Sequence, residues 1–511
     1  MSSHTNTAGS IKELIASGRA CQRRGDLLQA MSLFQEALSL AQSGDQPGQA
    51  AVSLTQMGEI HQLWGDLNRA LEYFERAIAL VGTGTRYVAE RVQALTGKGE
   101  ILQGRGDLDQ AGRLYEEARR LAELAGDRVG LAGSLNRLGQ VAHIQGELER
   151  ALVHYEQALS LARQAQDTTQ ITRGLNYLGI LRKQRGDIPG ARTALREALA
   201  TAQSAGDQAD LVECLNYLGL LHKDQGDLKE AQDYYEKAIA IARPLGLRAQ
   251  QAVLLNNLGQ IIQHRGDWAQ ALALFQQALA ILEAMDVPAS CAGLLSNIGF
   301  IHQQRGEHSL ALAAYRQALA LAQRAGLLAQ LPLLLNNIGQ VYQAMGDLSA
   351  ALDWHEQALE MARRMGHTPH VALVISNMGT LHHERGDLDR ALSDYEEALP
   401  MLQQLGNRAG LAALFNNMAG VYRERGEFDR AIGCYQQALI LDRELEHPEG
   451  IGRELMNIGS LYVQQGRPAE GEPLLAQAAE LLQTIGSPQA GRAQSWLARA
   501  RAGRGLSRNG L

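Results

Sequence analysis

Apolar and polar positions along this chain follow the period of a helix, and the pattern itself returns every 40 residues, twelve times in all. In residues 252–291, Leu254, Leu255, Leu258, Ile261 and Ile262 recur at three- and four-residue steps. After a break at Gly266-Asp267 the same spacing resumes with Ala271, Leu274, Phe275, Ala278 and Ile281, until a second break near Met285-Asp286. Each unit therefore predicts two amphipathic helices joined by a turn. A hairpin this short cannot cover its own apolar faces, so it must stack on copies of itself.

A glycine marks the turn of every unit, at Gly25, Gly65, Gly106, Gly146, Gly186, Gly226, Gly266, Gly306, Gly346, Gly386, Gly426 and Gly466. The one interval of 41 residues, between Gly65 and Gly106, places an extra residue around Gly82–Thr85. Glycine suits the left-handed conformation that ends a helix. The acid that follows it (Asp26, Asp66, Asp107, Glu147, Asp187) can cap the next helix. Seven residues before each marker stands another glycine, such as Gly18, Gly259 and Gly379, replaced by Ala419 in unit eleven. A glycine within a helix costs about 1 kcal/mol relative to alanine, so its return implies close approach of the second helix. That helix carries alanine five and twelve residues after most markers, with a bulky residue between them: Phe34, Phe74, Tyr115, Tyr155, Tyr235, Phe275, Tyr315, Tyr395 and Tyr435, against Leu195, His355 and Leu475. Small beside large at helical spacing lets helices interlock.

This signature resembles the tetratricopeptide repeat (TPR): Leu-Gly in the first helix, then Ala, a bulky residue and Ala in the second. The family's first-helix Trp is Leu in most units, as at Leu135, Leu175, Leu215 and Leu255, its late proline is largely missing, and the period is 40 rather than about 34 residues. The longer form resembles kinesin light chains, spindle-orientation adaptors and bacterial TPR scaffold proteins. The resemblance implies an all-α fold: an α-solenoid, a right-handed TPR superhelix of about twelve helix-turn-helix repeats. It would span residues 11–491, after a disordered start at 1–10, with a capping helix at 492–502 and a disordered tail at 503–511. Trp496 and Leu497 would cover the last repeat.

Composition narrows the function. With 48 basic against 55 acidic residues, a net charge of −7 and 5% aromatic residues, the chain lacks the basic, base-stacking surface of a nucleic-acid binder. No signal peptide is visible, and no apolar run approaches the roughly 20 residues that cross a bilayer. The four cysteines (Cys21, Cys214, Cys291, Cys434) show no paired spacing and read as free thiols, which with the rest points to the cytoplasm. The repeated Arg-Gly-Asp at Arg24, Arg105, Arg185, Arg265 and Arg385 is the hairpin turn. His61, His222, His302 and His382 share one position in different repeats; helices pack roughly 8–10 Å apart, too far for a shared metal, whose bonds to nitrogen are about 2 Å. His382-His383-Glu384 lacks the spacing of a zinc-protease helix, and Gly97-Lys98-Gly99 is no phosphate loop. The sequence thus implies no metal, no cofactor and no enzyme.

In TPR proteins the first helices line an inner groove that receives ligands. Carried over, the groove positions lie thirteen, ten, nine, six and three residues before each marker. Nine before it stand Asn257, Asn297, Asn337, Asn377, Asn417 and Asn457; ten before it stand Asn136, Asn176, Asn216, Asn256, Asn336 and Asn416. An amide both donates and accepts, so a row of them can pair with the backbone of an extended peptide. The alternative is that one amide of each pair braces neighbouring helices: the position nine before the marker favours peptide contact, and the position ten before it leaves the two readings even. Specificity would come from Arg173, Glu213, Gln260, Gln263, His264, Phe300, Gln303, Gln340, Gln343, His383 and Arg423. The lysine-based carboxylate clamp of chaperone-binding TPR domains is absent, since no lysine stands ten before any marker.

The expected function is a non-catalytic adaptor holding an extended segment of a protein or peptide partner, mainly in repeats four to twelve. Two alternatives stay open: a self-assembling scaffold, for which the first helix with Ile11, Leu14 and Ile15 leaves room, and a regulatory subunit acting on a separate effector enzyme or transcription factor.

Overall fold

A computed structural model describes residues 2–508 apart from 25, 286–287 and 325–326. Its regular structure is helical throughout, with 25 α-helices and a single 3-10 turn among the described residues. The helices pair as the pattern requires: Arg248–His264 with Trp268–Ala284 in repeat seven, Thr368–Glu384 with Leu388–Gln404 in repeat ten. The first helix begins at Ser2, ahead of Ile11, and the last runs from Ala490 to Arg508, longer at both ends than 492–502. Marker Gly25 and Asp286 of the second break lie outside the described residues.

The turn chemistry follows the sequence. Eleven markers from Gly65 to Gly466 have φ between 71° and 89°, the left-handed region. Asp66, Asp107, Asp187, Asp267, Asp347 and Asp387 each accept the backbone N–H three residues on. Glu147 makes no such cap and instead pairs with Arg150 at 2.9 Å, its longer side chain reaching past the amide.

The glycine seven before the marker does meet the second helix. A Cβ at Gly259 would lie 2.6 Å from the Phe275 ring, and one at Gly379 would lie 2.6 Å from Tyr395. The bulky residues are fully enclosed: Phe275, Tyr315 and Tyr395 are 0% exposed. Interlock of ring and glycine builds each hairpin's core.

The chain forms two compact units, Met1–Leu327 and Leu328–Leu511. The first unit holds repeats one to eight and the second holds repeats nine to twelve with the last helix. Within each, first helices of most successive repeats touch one another, whereas second helices share no comparable contact with each other among the described residues. First helices therefore line the inner side of the curve in each unit.

In the first unit the curve closes on itself. The first helix of repeat one touches that of repeat six (Gln208–Asp224), and the first helix of repeat two (Pro47–Trp64) touches that of repeat seven. Met285 lies against Gly65, and one apolar core joins Ile11, Ile15 and Ile60 to Leu254, Leu258 and Ile298. The apolar N-terminal hairpin, which left self-assembly open from sequence, is thus covered within its own unit.

Candidate functional site

The two inner faces differ in chemistry. In the first unit, residues nine, six and three before the markers form a network of ion pairs and hydrogen bonds. Arg137 pairs with Glu100 at 2.5 Å and donates to the hydroxyl of Tyr177 at 3.2 Å. Arg19 donates to Gln56, Gln22 to Glu59 and Gln62 to Glu100. Burial disfavours the charge on Arg137, but Glu100, Tyr177 and Tyr115 outweigh it and hold the guanidinium protonated. Burial also pushes the Glu59 carboxyl up, against the hydrogen bond from Gln22. Asp210 is raised to about 7 by burial, opposed by Arg173 at 3.8 Å. This face pairs most of its charged groups, while the buried side-chain oxygens of Thr55, Asn136 and Asn176 have no hydrogen-bond partner among the described residues. The sequence reading missed it, although Glu59, Glu100 and Arg137 occupy groove positions and could have been found by counting back from the markers.

The asparagines form the ladder, and its pairing is now explicit. Asn257 donates to Asn216 at 2.9 Å and Asn297 to Asn256 at 3.0 Å; in the second unit Asn377 donates to Asn336 at 2.8 Å. The amide nine before one marker thus reaches back to the amide ten before the preceding marker. Asn136 donates to Gln170 at 3.2 Å and Asn176 to the Cys214 sulfur at 3.4 Å. Asn136, Asn176 and Asn336 are at most 1% exposed. The position ten before the marker, left even by the sequence, is in these three repeats a brace between hairpins; Asn136 and Asn176 have no accessible surface for a ligand.

The position nine before the marker keeps free capacity in the second unit. Asn337 is half-buried and its side chain has no hydrogen-bond partner among the described residues. Asn377 retains its oxygen, Asn417 donates only a long bond of 3.3 Å to Thr380, and Asn457 bonds Glu454. Gln340 lies half-buried beside Asn337 in the same helix, Leu331–Ala344. Of the remaining expected contacts in the first unit, Gln260 accepts from Lys223 at 2.9 Å and Arg173 faces Asp210. Gln263 is half-buried, His264 is exposed, and Phe300 is exposed against Trp268 with ring centroids 6.3 Å apart.

The four histidines sharing one register each meet an acid of their own hairpin: His61–Asp66 at 3.6 Å, His222–Asp227 at 3.3 Å, His302–Glu307 at 2.5 Å and His382–Asp394 at 2.7 Å. Among the described residues no three metal-ligating side chains converge. No helix there is long and apolar enough to cross a membrane.

With this geometry in place, the comparisons with known proteins are direct. The MalT-like TPR region matches residues 85–274 and 258–416. Tetratricopeptide repeats match residues 14–81, 413–449 and 456–506. No curated protein matches the sequence. Among solved structures, the apo form of RapI is similar at 15% identity and a TM-score of 0.53, over 70% of this chain and 98% of that one. A Rap protein complexed with Competence and Sporulation Factor is similar at 15% identity and a TM-score of 0.52, over 71% of this chain and 99% of that one. BtubC (BKLC) from P. vanneervenii is 26% identical over 43% of this chain and 92% of its own, with a TM-score of 0.40. The two Rap likenesses are likenesses of fold.

Proposed function

The chain belongs to the MalT-like tetratricopeptide-repeat family, and from that premise we propose that it is a non-catalytic interaction scaffold. Its second unit holds an extended segment of a protein partner along the amides Asn337, Asn377, Asn417 and Asn457. The observation that carries this reading is the return of one amide per repeat, in one register on the inner face, with hydrogen-bonding capacity left over after the hairpins are braced. Amides at a regular step suit a peptide backbone, whose own donors and acceptors recur whatever its sequence. A protein of similar fold has been solved with Competence and Sporulation Factor, so a solenoid of this build has room for a ligand. The first unit serves as a rigid companion, since its inner network already pairs its charges.

The test is capture from the native cell followed by mass spectrometry, with the wild-type chain against the double variant Asn337→Ala, Asn417→Ala. Neither residue braces a buried amide, so thermal melting should stay unchanged. Partners held by the wild type should be lost from the variant; equal capture by both removes the amide column from the account.

A further inference from the structure

Two repeats of the first unit break with the amide column. Nine residues before the marker, repeats five and six carry Tyr177 and Tyr217 where repeats seven to twelve carry asparagine. Together with Tyr155 of repeat four these rings wall a cleft of about 370 Å³. Tyr155 and Tyr177 lie with ring centroids 5.4 Å apart, tilted by 35°. Two of the three hydroxyls are engaged: Tyr177 accepts from Arg137 at 3.2 Å, and Tyr217 donates to Glu213 at 3.1 Å. Tyr155 is 1% exposed and lines the cleft, yet its hydroxyl has no hydrogen-bond partner among the described residues. Its counterparts Tyr115 and Tyr315 donate to the glutamine three before their markers, Gln103 and Gln303, at 3.0 and 3.1 Å. Repeat four has His143 at that position, and His143 is drawn instead to Gln184, its Nε2 donating to the amide oxygen at 2.5 Å.

Three glutamines rim the cleft, and each has its oxygen taken. Gln103 accepts from Tyr115, Gln140 from Arg137 at 2.9 Å, and Gln184 from His143. Their NH2 groups have no acceptor among the described residues. The open polar groups are therefore donors: three amides and one hydroxyl. Among the described residues no carboxylate, lysine or arginine lines the cleft, and the charge of nearby Arg137 is already paired with Glu100 at 2.5 Å.

We propose that this cleft binds a small, uncharged, carbonyl-bearing aromatic heterocycle, of the purinedione or coumarin kind. The tyrosine rings pack against its faces, and the amide NH2 groups and the Tyr155 hydroxyl donate to its carbonyl oxygens. The volume lies at the small end of ligand sites, which span about 300–1,000 Å³, so it takes one small molecule. A charged ligand would lose its hydration and meet no counter-charge there. This site is separate from the amides of the second unit and does not rest on the scaffold reading. Its walls come from repeats three to six, so a bound ring braces four successive hairpins and raises the melting temperature by linkage.

The experiment titrates the full chain by calorimetry with caffeine and coumarin, which are flat, uncharged and carry acceptors without donors. Indole (a donor only), benzoate (an anion) and tryptamine (a cation) are the comparisons. Caffeine and coumarin should bind at least about tenfold more tightly than these three, the worth of one or two hydrogen bonds. Tyr155→Phe should weaken caffeine about fivefold. Without ligand this variant should melt no lower than the wild type, because its hydroxyl has no partner to lose. Gln184→Met, at an exposed position on the rim, should weaken caffeine by a similar factor. Equal affinity for caffeine and indole, or no binding of either acceptor ligand at millimolar concentration, overturns the proposal. Unchanged caffeine binding by Tyr155→Phe overturns it too, and so does a lower melting temperature of that variant, which would assign the hydroxyl to the fold.

Discussion

His355 occupies the position where six other repeats place a buried tyrosine, and His355→Tyr should stabilise the second unit. The imidazole is 0% exposed, packed against Gly339, and neither ring nitrogen has a hydrogen-bond partner among the described residues. A buried polar group left unpaired costs about 1–3 kcal/mol. Tyrosine removes that cost and gains a bond: Gln343 stands where Gln103 and Gln303 accept from Tyr115 and Tyr315. Overpacking would subtract from the gain, but Tyr115, Tyr315 and Tyr395 fit against the same glycine without exposure. A net gain of about 2 kcal/mol at pH 7.5 follows. The pH dependence sharpens the test. Burial lowers the His355 pKa from its usual 6.5 to about 4. Between those values the unfolded chain binds the proton that the folded chain refuses, so wild-type stability falls as pH drops through this window. The total is about 3 kcal/mol, at 1.36 kcal/mol per pH unit. Tyrosine is neutral throughout, so the advantage of the variant should widen on going from pH 7.5 to 4.5. Solenoids open region by region, so the assay is amide hydrogen exchange of the helix Leu348–Arg364, with urea unfolding as a global check. A variant less stable than wild type at pH 7.5, or a gap that does not widen in acid, refutes the reasoning.

Three further outcomes follow from the same physics. Glu454, 0% exposed, is raised to about 7 by burial, with Arg453 opposing and Asp442 adding to the rise. Its folded form holds a proton that the unfolded chain releases from about pH 4.5, so stability falls as pH rises towards 7. Glu454→Gln should therefore exceed wild type by about 3 kcal/mol at pH 8 and match it near pH 4.5, read by urea midpoints. Gly379→Ala gains about 1 kcal/mol of helix propensity but drives a methyl to 2.6 Å from the enclosed Tyr395 ring, so a net loss of about 1–2 kcal/mol is expected from melting curves. Arg137→Met strands Glu100 in the first unit and should cost about 2–4 kcal/mol, partly recovered by adding Glu100→Gln, as a double-mutant cycle will report.

Much of this fold was legible because its rules are local. The marker glycines announce a left-handed residue, and the paired glycine and ring announce a close helix contact, each within one repeat of 40 residues. What was hidden is non-local. Ile11 and Ile15 carry the same apolar signal whether a neighbouring hairpin or one five repeats away covers them, so the closed first unit could not be read. The period also runs unbroken from Gly306 to Gly346 across the division at Leu327 and Leu328. At the candidate site, Asn336 and Asn377 are chemically identical; only the register between helices decides that one is buried and the other keeps an open oxygen. The ion pair of Arg137 with Glu100 is legible in the spacing, since both residues stand at groove positions counted back from their markers.

Photo-crosslinking from single positions on the second unit tests the central claim most directly. A benzophenone side chain at Ala413, exposed on the first helix of repeat eleven (Arg408–Glu424), should capture the partner in the native cell, and the same group at Gln436, exposed on the second helix (Phe428–Glu444), should not. Capture from Gln436 with none from Ala413 would put the partner on the outer face and contradict the account.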